Sequence, residues 1–192
     1  MDAIGLLELR SLARGYRALD ALVKRSPVTV LEANLVEPGH FLILVAGGVA
    51  EVNEAMTAGL EVAGDLLVDS LELPMVHPKL LPGLAGTQSL DADPDTLGIV
   101  ETRSVAAALL ACDRVLKEAY VELCGLRITP GLGGRGYFVV VGEQHDVESA
   151  METAQAAVER GLIHETQVVP RPHPDFVAQV LRPAPFALQM EA

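Results

Sequence analysis

The sequence predicts an α/β protein built from two copies of one unit, each a four-stranded sheet with two helices on one side. The first observation is an internal repeat, in which residues 5–28 match residues 98–121 at a constant offset of 93 positions. The second is the hydrophobic pattern, which changes between strand and helix periods in the same order in both halves. Self-similarity over most of a chain is typical of a duplicated structural unit.

The repeat preserves charged and turn-forming residues as well as apolar ones. At the offset of 93 the identical pairs are Gly5/Gly98, Glu8/Glu101, Arg10/Arg103, Ser11/Ser104, Asp20/Asp113, Lys24/Lys117 and Val28/Val121. The offset becomes 95 at Gly47/Gly142 and 96 at Pro74/Pro170. The two halves therefore differ mainly in the length of one loop, and each half is a unit large enough to bury its own core.

In the first half, residues 3–10 predict a strand, and Ser11 is a suitable N-cap for a helix that continues to about residue 25. The apolar stripe of this helix is Leu12, Tyr16, Leu19 and Val23, which have helical spacing. The elements that follow are strands 28–36 and 41–45, a helix 50–63, a strand 66–73 and a short helix from Pro78.

The second half repeats this order. Its elements are strand 97–103, helix 104–118, strands 121–128 and 136–142, helix 146–160, strand 162–169 and a helix from Pro174. The order βαββαβ is the split βαβ arrangement of ferredoxin-like units. We therefore predict a first domain over 1–85, a polar linker over 86–95, a second domain over 96–182 and a C-terminal tail over 183–192.

Composition excludes several classes of function. The net charge of −12 argues against a nucleic-acid-binding protein, which needs a basic face. Hydrophobic residues make up 50% of the chain, yet no apolar run reaches the roughly 18 residues of a membrane span. The first ten residues lack the basic and small-residue pattern of a signal peptide, so we expect a cytosolic protein. Two cysteines give no disulfide framework.

Several short motifs stand in the same order along the two halves, and most of them occur in both. They are Gly-x2-Glu at 5–8 and 98–101, Asp-x3-Lys-x3-Val at 20–28 and 113–121, Gly-His-Phe-Leu-Ile-Leu-Val-Ala-Gly at 39–47, Leu-Pro-x2-His-Pro at 73–78 and Val-Pro-Arg-Pro-His-Pro at 169–174. With this arrangement the chain resembles the shell proteins of bacterial microcompartments, in the tandem-domain class that forms trimers. The resemblance covers nearly the whole chain.

The resemblance implies a structural protein and not an enzyme. Three chains would supply six similar domains around one axis, which gives a flat, trimeric pseudo-hexamer. Such tiles would meet other shell proteins edge to edge in the cytoplasm and enclose enzymes. Small metabolites would cross through a central pore, and no nucleic acid or membrane would be involved.

The resemblance also indicates which residues line that pore. They are Glu37, Pro38, Gly39 and His40 in the first half, and Gly131, Leu132, Gly133 and Gly134 in the second. Glycine and proline suit loops that approach symmetric copies closely. Without the resemblance, both segments would read equally well as ordinary hairpin loops. A phosphate-binding loop is disfavoured, because a strand and not a helix follows the glycines.

Glu37 departs from the pattern of the family. A propanediol-utilisation member of this class has an iron–sulfur cluster in its pore, and a cysteine stands at the position of Glu37. A cluster needs thiolates, whereas Cys112 and Cys124 occupy core positions of a helix and a strand. We therefore expect no cluster. A solvated acidic rim is the favoured reading, and a divalent metal held by Glu37 with His40 is a weaker alternative.

By resemblance, five residues would contact neighbouring tiles at the edges: Lys24, Lys117, Arg171, His77 and His173. The alternative is that the lysines are solvated helix ends and the histidines cap the helices that follow them. Asp20 and Asp113 could each accept hydrogen bonds from nearby backbone or pair with the lysine four residues on, and we assign them a structural role.

Two hypotheses of function remain. The first is a shell component with a selective pore, favoured because neither half shows a nucleophile–base pair, a metal-ligand set or a cofactor motif. The second is a small-ligand sensor or an enzyme on a duplicated ferredoxin-like scaffold, with its ligand at the interface between the halves.

Overall fold

The structure is a computed structural model that describes residues 2–87, 94–128 and 132–180. Contacts within the chain divide it into two compact units, and the division falls between Val76 and His77. The predicted linker positions 88–93 and the tail from residue 183 lie outside the described residues. Among the described helices, none is both long and apolar enough to cross a membrane.

The first unit has one antiparallel sheet with the strand order β2-β3-β1-β4. Its elements are β1 (Ala3–Leu9), α1 (Leu12–Arg25), β2 (Thr29–Val36), β3 (His40–Gly47), α2 (Val49–Ala63), a 3-10 turn (Gly64–Leu66) and β4 (Leu67–Pro74). Ser11 caps α1, because its side-chain oxygen accepts the Arg14 backbone N–H. Leu7, Leu9, Phe41, Ile43 and Val45 alternate along the central strands and pack in one core with α1 and α2.

The second unit repeats this topology with the strand order β6-β7-β5-β8. Its elements are α3 (Leu80–Ala85), β5 (Thr96–Thr102), α4 (Val105–Glu118), β6 (Glu122–Ile128), β7 (Gly136–Gly142), α5 (Gln144–Ala157), β8 (Ile163–Pro170) and α6 (Pro174–Val180). Ser104 caps α4 as Ser11 caps α1. The predicted fold class, two tandem units that each have the element order βαββαβ and a four-stranded sheet, is thus confirmed.

The structure places helix α3 in the second unit, whereas the sequence prediction assigned its residues to the first domain. We expected the first domain to run to residue 85, whereas the compact division comes nine residues earlier and leaves α3 in the second unit. The physical reason is burial: Leu80 and Leu84 are buried, and α3 packs against β6 and α4. The peptide that follows the first repeat therefore completes the core of the second unit.

Candidate pore loops and their anchors

The first candidate loop is the three-residue turn Glu37–Gly39 between β2 and β3. The Gly39 backbone N–H donates to the Val36 carbonyl at 2.9 Å, which closes the turn. Gly39 has φ +99°, a left-handed conformation that favours glycine, and no atom lies within 4 Å of the place where a Cβ would stand. The turn therefore projects into open space at one end of the sheet.

His40 fastens the end of this turn to the sheet. It is the first residue of β3, and its Nδ1 lies 2.6 Å from Oε1 of Glu8 in the neighbouring strand β1. Glu8 is only 3% exposed. Burial raises the pKa of the Glu8 carboxyl; the hydrogen bond and charge of His40 act in the opposite direction, and Asp69 on β4 raises the pKa further.

The second candidate loop joins β6 to β7, and its described part begins at Leu132. Gly133 and Gly134 both have positive φ, +60° and +80°. The Arg135 backbone N–H and its Nε–H both donate to the Leu132 carbonyl, at 3.2 and 3.1 Å. Predicted pore residue Gly131 lies outside the described residues.

Arg135 occupies the position in this loop that His40 occupies in the first. Its Nη1 lies 2.5 Å from Oε1 of Glu101 on β5. Since Glu101 is the repeat counterpart of Glu8, each unit fastens its loop with a carboxyl group on the central strand and a basic side chain next to the start of the following strand. We call these two pairs, Glu8–His40 and Glu101–Arg135, the loop anchors.

Three of the four anchor residues were not predicted as site residues; only His40 was. Glu8 and Glu101 were recognised as repeat markers without a role, and Arg135 was given none. The available signal was a charged residue that recurs within an otherwise apolar opening strand in both halves. A buried strand tolerates such a residue only when it has a partner.

The predicted edge residues lie away from the loops. Lys24 Nζ lies 2.6 Å from Asp20 Oδ2, and Lys117 Nζ lies 2.5 Å from Asp113 Oδ2, so both predicted i,i+4 pairs are confirmed. Asp113 also accepts the His77 backbone N–H at 2.8 Å. Burial lowers the pKa of His77, with Asp113 acting in the opposite direction.

The histidines act as caps, and the arginine turns the chain. The His77 ring accepts the Lys79 backbone N–H at 3.3 Å, and the His173 ring accepts that of Asp175 at 3.2 Å. Arg171 ends β8 with φ +46°, as its repeat counterpart Met75 ends the first unit's last strand with φ +52°. The two positions share a backbone turn although their side chains differ.

The donor atoms at the loops do not suit an iron–sulfur cluster. Neither loop contains a cysteine. Cys112 is buried in α4, and Cys124 is half-buried in β6, where burial raises its pKa to about 12. Among the described residues, the acidic and histidine atoms grouped closely enough for a metal belong to Glu143, His145 and Asp146, which start α5 and not a loop.

Comparison with known proteins places the chain in a family. The BMC domain profile matches residues 3–76 and again 96–172. The chain belongs to the BMC-domain family. The bacterial microcompartment shell protein PduT of Citrobacter freundii is 42% identical over 181 residues, covering 94% of this chain and 98% of PduT. The shell protein EutM of Salmonella typhimurium is 34% identical over 83 residues, 43% of this chain and 84% of EutM.

The fold is also that of a solved BMC protein. A microcompartment protein from Desulfitobacterium hafniense superposes with a TM-score of 0.84 at 37% identity, covering 93% of this chain and 99% of the other. These relatives are named as shell or microcompartment proteins. The predicted class, a structural shell protein with tandem BMC domains and not an enzyme, is thereby confirmed. The sensor or enzyme hypothesis is set aside.

Proposed function

We propose that this BMC chain is a trimeric shell tile whose two loops edge a small central opening. The observation that carries the proposal is the matched pair of loop anchors, which hold one projecting turn at the same place in each unit. A loop that only connects two strands needs no carboxyl group at its base, least of all a buried one such as that of Glu8, since burying a charge is costly. A turn that must keep its shape beside symmetric copies does benefit from such an anchor.

In this arrangement Glu37 sets the charge of the opening. One Glu37 per chain becomes three carboxylates around a threefold axis, together with the small backbone of Pro38 and Gly39. A ring of carboxylates repels anions and admits neutral or cationic solutes. Only the first loop offers a carboxylate and an imidazole, those of Glu37 and His40, and neither loop has a thiol. These donors suit a divalent cation and not an iron–sulfur cluster.

The edges of the tile would carry the five residues named above. Lys24 extends into solvent, whereas Lys117 is held against a buried aspartate. We infer that the two halves present unequal edges to neighbouring shell proteins, with Arg171 on the second half and Met75 at its counterpart on the first. That the tile encloses enzymes and lets a small solute cross is inferred from the family. No particular residue of this chain identifies the enzymes or the solute.

The charge of the opening can be tested with shells assembled from the full chain. Glu37→Gln keeps the shape of the side chain and removes three charges per tile. We expect the entry of a small anion into the shells to rise several-fold relative to a neutral solute of similar size. Glu143→Gln, an exposed substitution outside the loops, is the control. An unchanged ratio of anion to neutral entry in Glu37→Gln shells would exclude Glu37 from the opening.

A further inference from the structure

Each sheet has a second face, which is turned away from its two long helices. In the first unit Leu7, Ile43 and Val45 pack with α1 and α2, so the residues that alternate with them point to the opposite side. We call this opposite side the outer face of the unit. Its central residues in the first unit are all apolar: Ile4, Leu6, Leu42, Leu44 and Ala46. An apolar outer face needs a cover of its own.

The outer face of the first unit is completely covered. Leu6, Leu42, Leu44 and Ala46 are all 0% exposed, and Ile4 is 1% exposed. This burial is reached within a single chain. The cover is therefore supplied by the chain itself and does not depend on a second copy.

The outer face of the second unit is covered only in part. Helix α6 lies on it, since Val177 is buried in one cluster with Leu97 and Val139. Three residues beside this contact stay partly exposed. They are Ile99, Tyr137 and Val141, the repeat counterparts of Leu6, Leu42 and Ala46. One helix of seven residues therefore does not bury this face.

The glutamates of the two loop anchors show the same contrast. Both lie on the outer faces, since Glu8 is paired across the sheet with Leu42, and Glu101 with Tyr137. The Glu8 side chain is 4% exposed, whereas that of Glu101 is 32% exposed. The first unit therefore has an additional cover, which extends over its outer face as far as the anchor.

Among the described helices, those near the first unit do not account for this cover. Helices α1 and α2 pack on the other side of the sheet. Helix α3 packs against β6 and α4, and with six residues it is shorter than α6, which leaves its own outer face partly exposed. Helices α4 and α5 pack on the sheet of the second unit.

The composition of the remaining chain indicates one segment. The parts of the chain outside the described residues are Met1, 88–93, 129–131 and 181–192. The two internal stretches together hold one large apolar residue, Leu90. The C-terminal tail, residues 183–192, has three: Phe186, Leu188 and Met190. They stand at every second position, a spacing that puts the side chains of an extended segment on one side.

We propose that the C-terminal tail, residues 183–192, binds the outer face of the first unit of its own chain. Phe186, Leu188 and Met190 supply the apolar contacts. The tail thereby makes the two outer faces unequal, since it closes that of the first unit and leaves that of the second partly open. The inference goes beyond the proposed tile, because the contact needs no second copy.

Thiol labelling measures the cover at single positions. Ala46→Cys places a thiol at a fully buried position of the first outer face, and Val141→Cys places one at its repeat counterpart on the second. Both are made in full-length chains that carry Cys112→Ala and Cys124→Ala, so that one thiol reports. With the tail intact, Ala46→Cys should label at least about tenfold more slowly than Val141→Cys.

A charge in the tail is the perturbation. Leu188→Asp places a carboxylate among the apolar contacts, whereas the control Gln189→Asp places it at the next position, which faces away in an extended segment. We expect Leu188→Asp to raise the labelling rate of Ala46→Cys about tenfold, and Gln189→Asp to change it less than about twofold. Val141→Cys should label at the same rate in both chains.

A milder variant keeps the test decisive if Leu188→Asp lowers the stability of the whole chain and accelerates labelling at both sites. Leu188→Ala removes apolar area without adding charge and should accelerate Ala46→Cys alone, by about threefold. No selective acceleration at Ala46→Cys in either variant overturns the inference. Selective acceleration at Val141→Cys would place the tail on the second unit and overturns it as well.

Dilution separates the chain's own tail from that of another copy. The labelling rate of Ala46→Cys should stay constant over about a hundredfold dilution, since binding within one chain does not depend on concentration. Protection that is lost on dilution would mean that another copy supplies the tail, and overturns the inference. A chain that forms trimers with Ala46→Cys unprotected leaves the tile proposal standing, whereas a protected chain that never associates contradicts the tile proposal alone.

Discussion

The two units pack the same helix against the same strand with the larger and the smaller residue exchanged. Where α1 crosses β3, the helix carries Gly15 and the strand carries Phe41; at the equivalent crossing of α4 and β7, the helix carries Ala108 and the strand carries Gly136. A Cβ on Gly15 would lie 2.3 Å from the Phe41 ring, and one on Gly136 would lie 2.5 Å from the Ala108 Cβ. The larger side chain is on the strand in one unit and on the helix in the other.

This difference shows that the repeat preserves pairs of contacting residues and not single residues. Helix and strand must approach to the same distance in both units, so a larger residue on one side requires glycine on the other. The loop anchors follow the same rule with polar partners in place of volume, since each glutamate on the central strand has its own basic partner, His40 or Arg135. Substitutions that exchange one member of a pair between units should fail, and those that exchange both should be tolerated better.

The largest effect is expected at the helix–strand crossing of the second unit. Gly136→Phe inserts a ring against Ala108 and should destabilise the fold by more than about 3 kcal/mol, at the upper end of overpacking costs. Adding Ala108→Gly rebuilds the first unit's pairing and should recover about 1–3 kcal/mol as a coupling energy. Urea unfolding of both variants and of Ala108→Gly alone measures this cycle. Strictly additive effects would contradict the idea of paired volumes.

An intermediate effect is expected from the two aspartates that face lysines. Asp113→Ala leaves the His77 backbone N–H without its carboxylate and should cost about 1–3 kcal/mol in monomer unfolding. Asp20→Ala removes only an exposed pair with Lys24 and should cost about 0.5 kcal/mol or less.

The comparison is to be made by urea unfolding at concentrations where the chain is monomeric. Lys24→Ala and Lys117→Ala serve as controls that remove the cation and keep the aspartate. Equal losses for Asp20→Ala and Asp113→Ala would mean that the covered position of Asp113 contributes nothing to stability.

Much of this fold is predictable from the sequence because each pattern that indicates a helix or a strand occurs twice, once in each half. Ser11 and Ser104 mark helix starts at equivalent places, and strand alternation in each half supports the assignment of the other. The membership of α3 was not predictable, since residues 77–85 follow the first repeat without a break and only the contacts of Leu80 assign them to the second unit. Long-range packing of this kind leaves no local periodicity.

The site was predictable only in part. Glycine and proline identified the turns at Glu37 and Gly133, because those residues provide the backbone conformations that turns require. The anchors at Glu8 and Glu101 were not recognised, since the alternation of a buried strand does not show which of its residues meets a cation. Whether the turns surround one axis depends on other copies of the chain, which a single sequence does not specify.

The smallest effect, and the one that separates the two loop anchors, is their dependence on pH. Histidines in general change charge between pH 5 and 8, whereas arginine stays charged. The Glu8 pKa is raised by burial, and Asp69 on β4 is a second carboxylate near it. A carboxyl whose pKa is raised by folding adds stability that is fully present below its unfolded value, near 4.5, and is lost as the pH rises through the raised value.

We therefore expect the contribution of Glu8 to the stability of the chain to fall as the pH rises above about 4.5, and His40→Arg to reduce that fall. A permanent cation favours the ionised form of Glu8 and should make His40→Arg more stable than wild type by about 1 kcal/mol at pH 8, the scale of a charge-assisted hydrogen bond. Melting temperatures across pH 4.5 to 8.5 measure the effect.

Arg135→His is the matched exchange and should introduce a weaker pH dependence at the second anchor, because Glu101 is less buried than Glu8. If His40→Arg and wild type show parallel pH profiles, His40 does not compensate the buried charge of Glu8, and the two anchors differ only in shape.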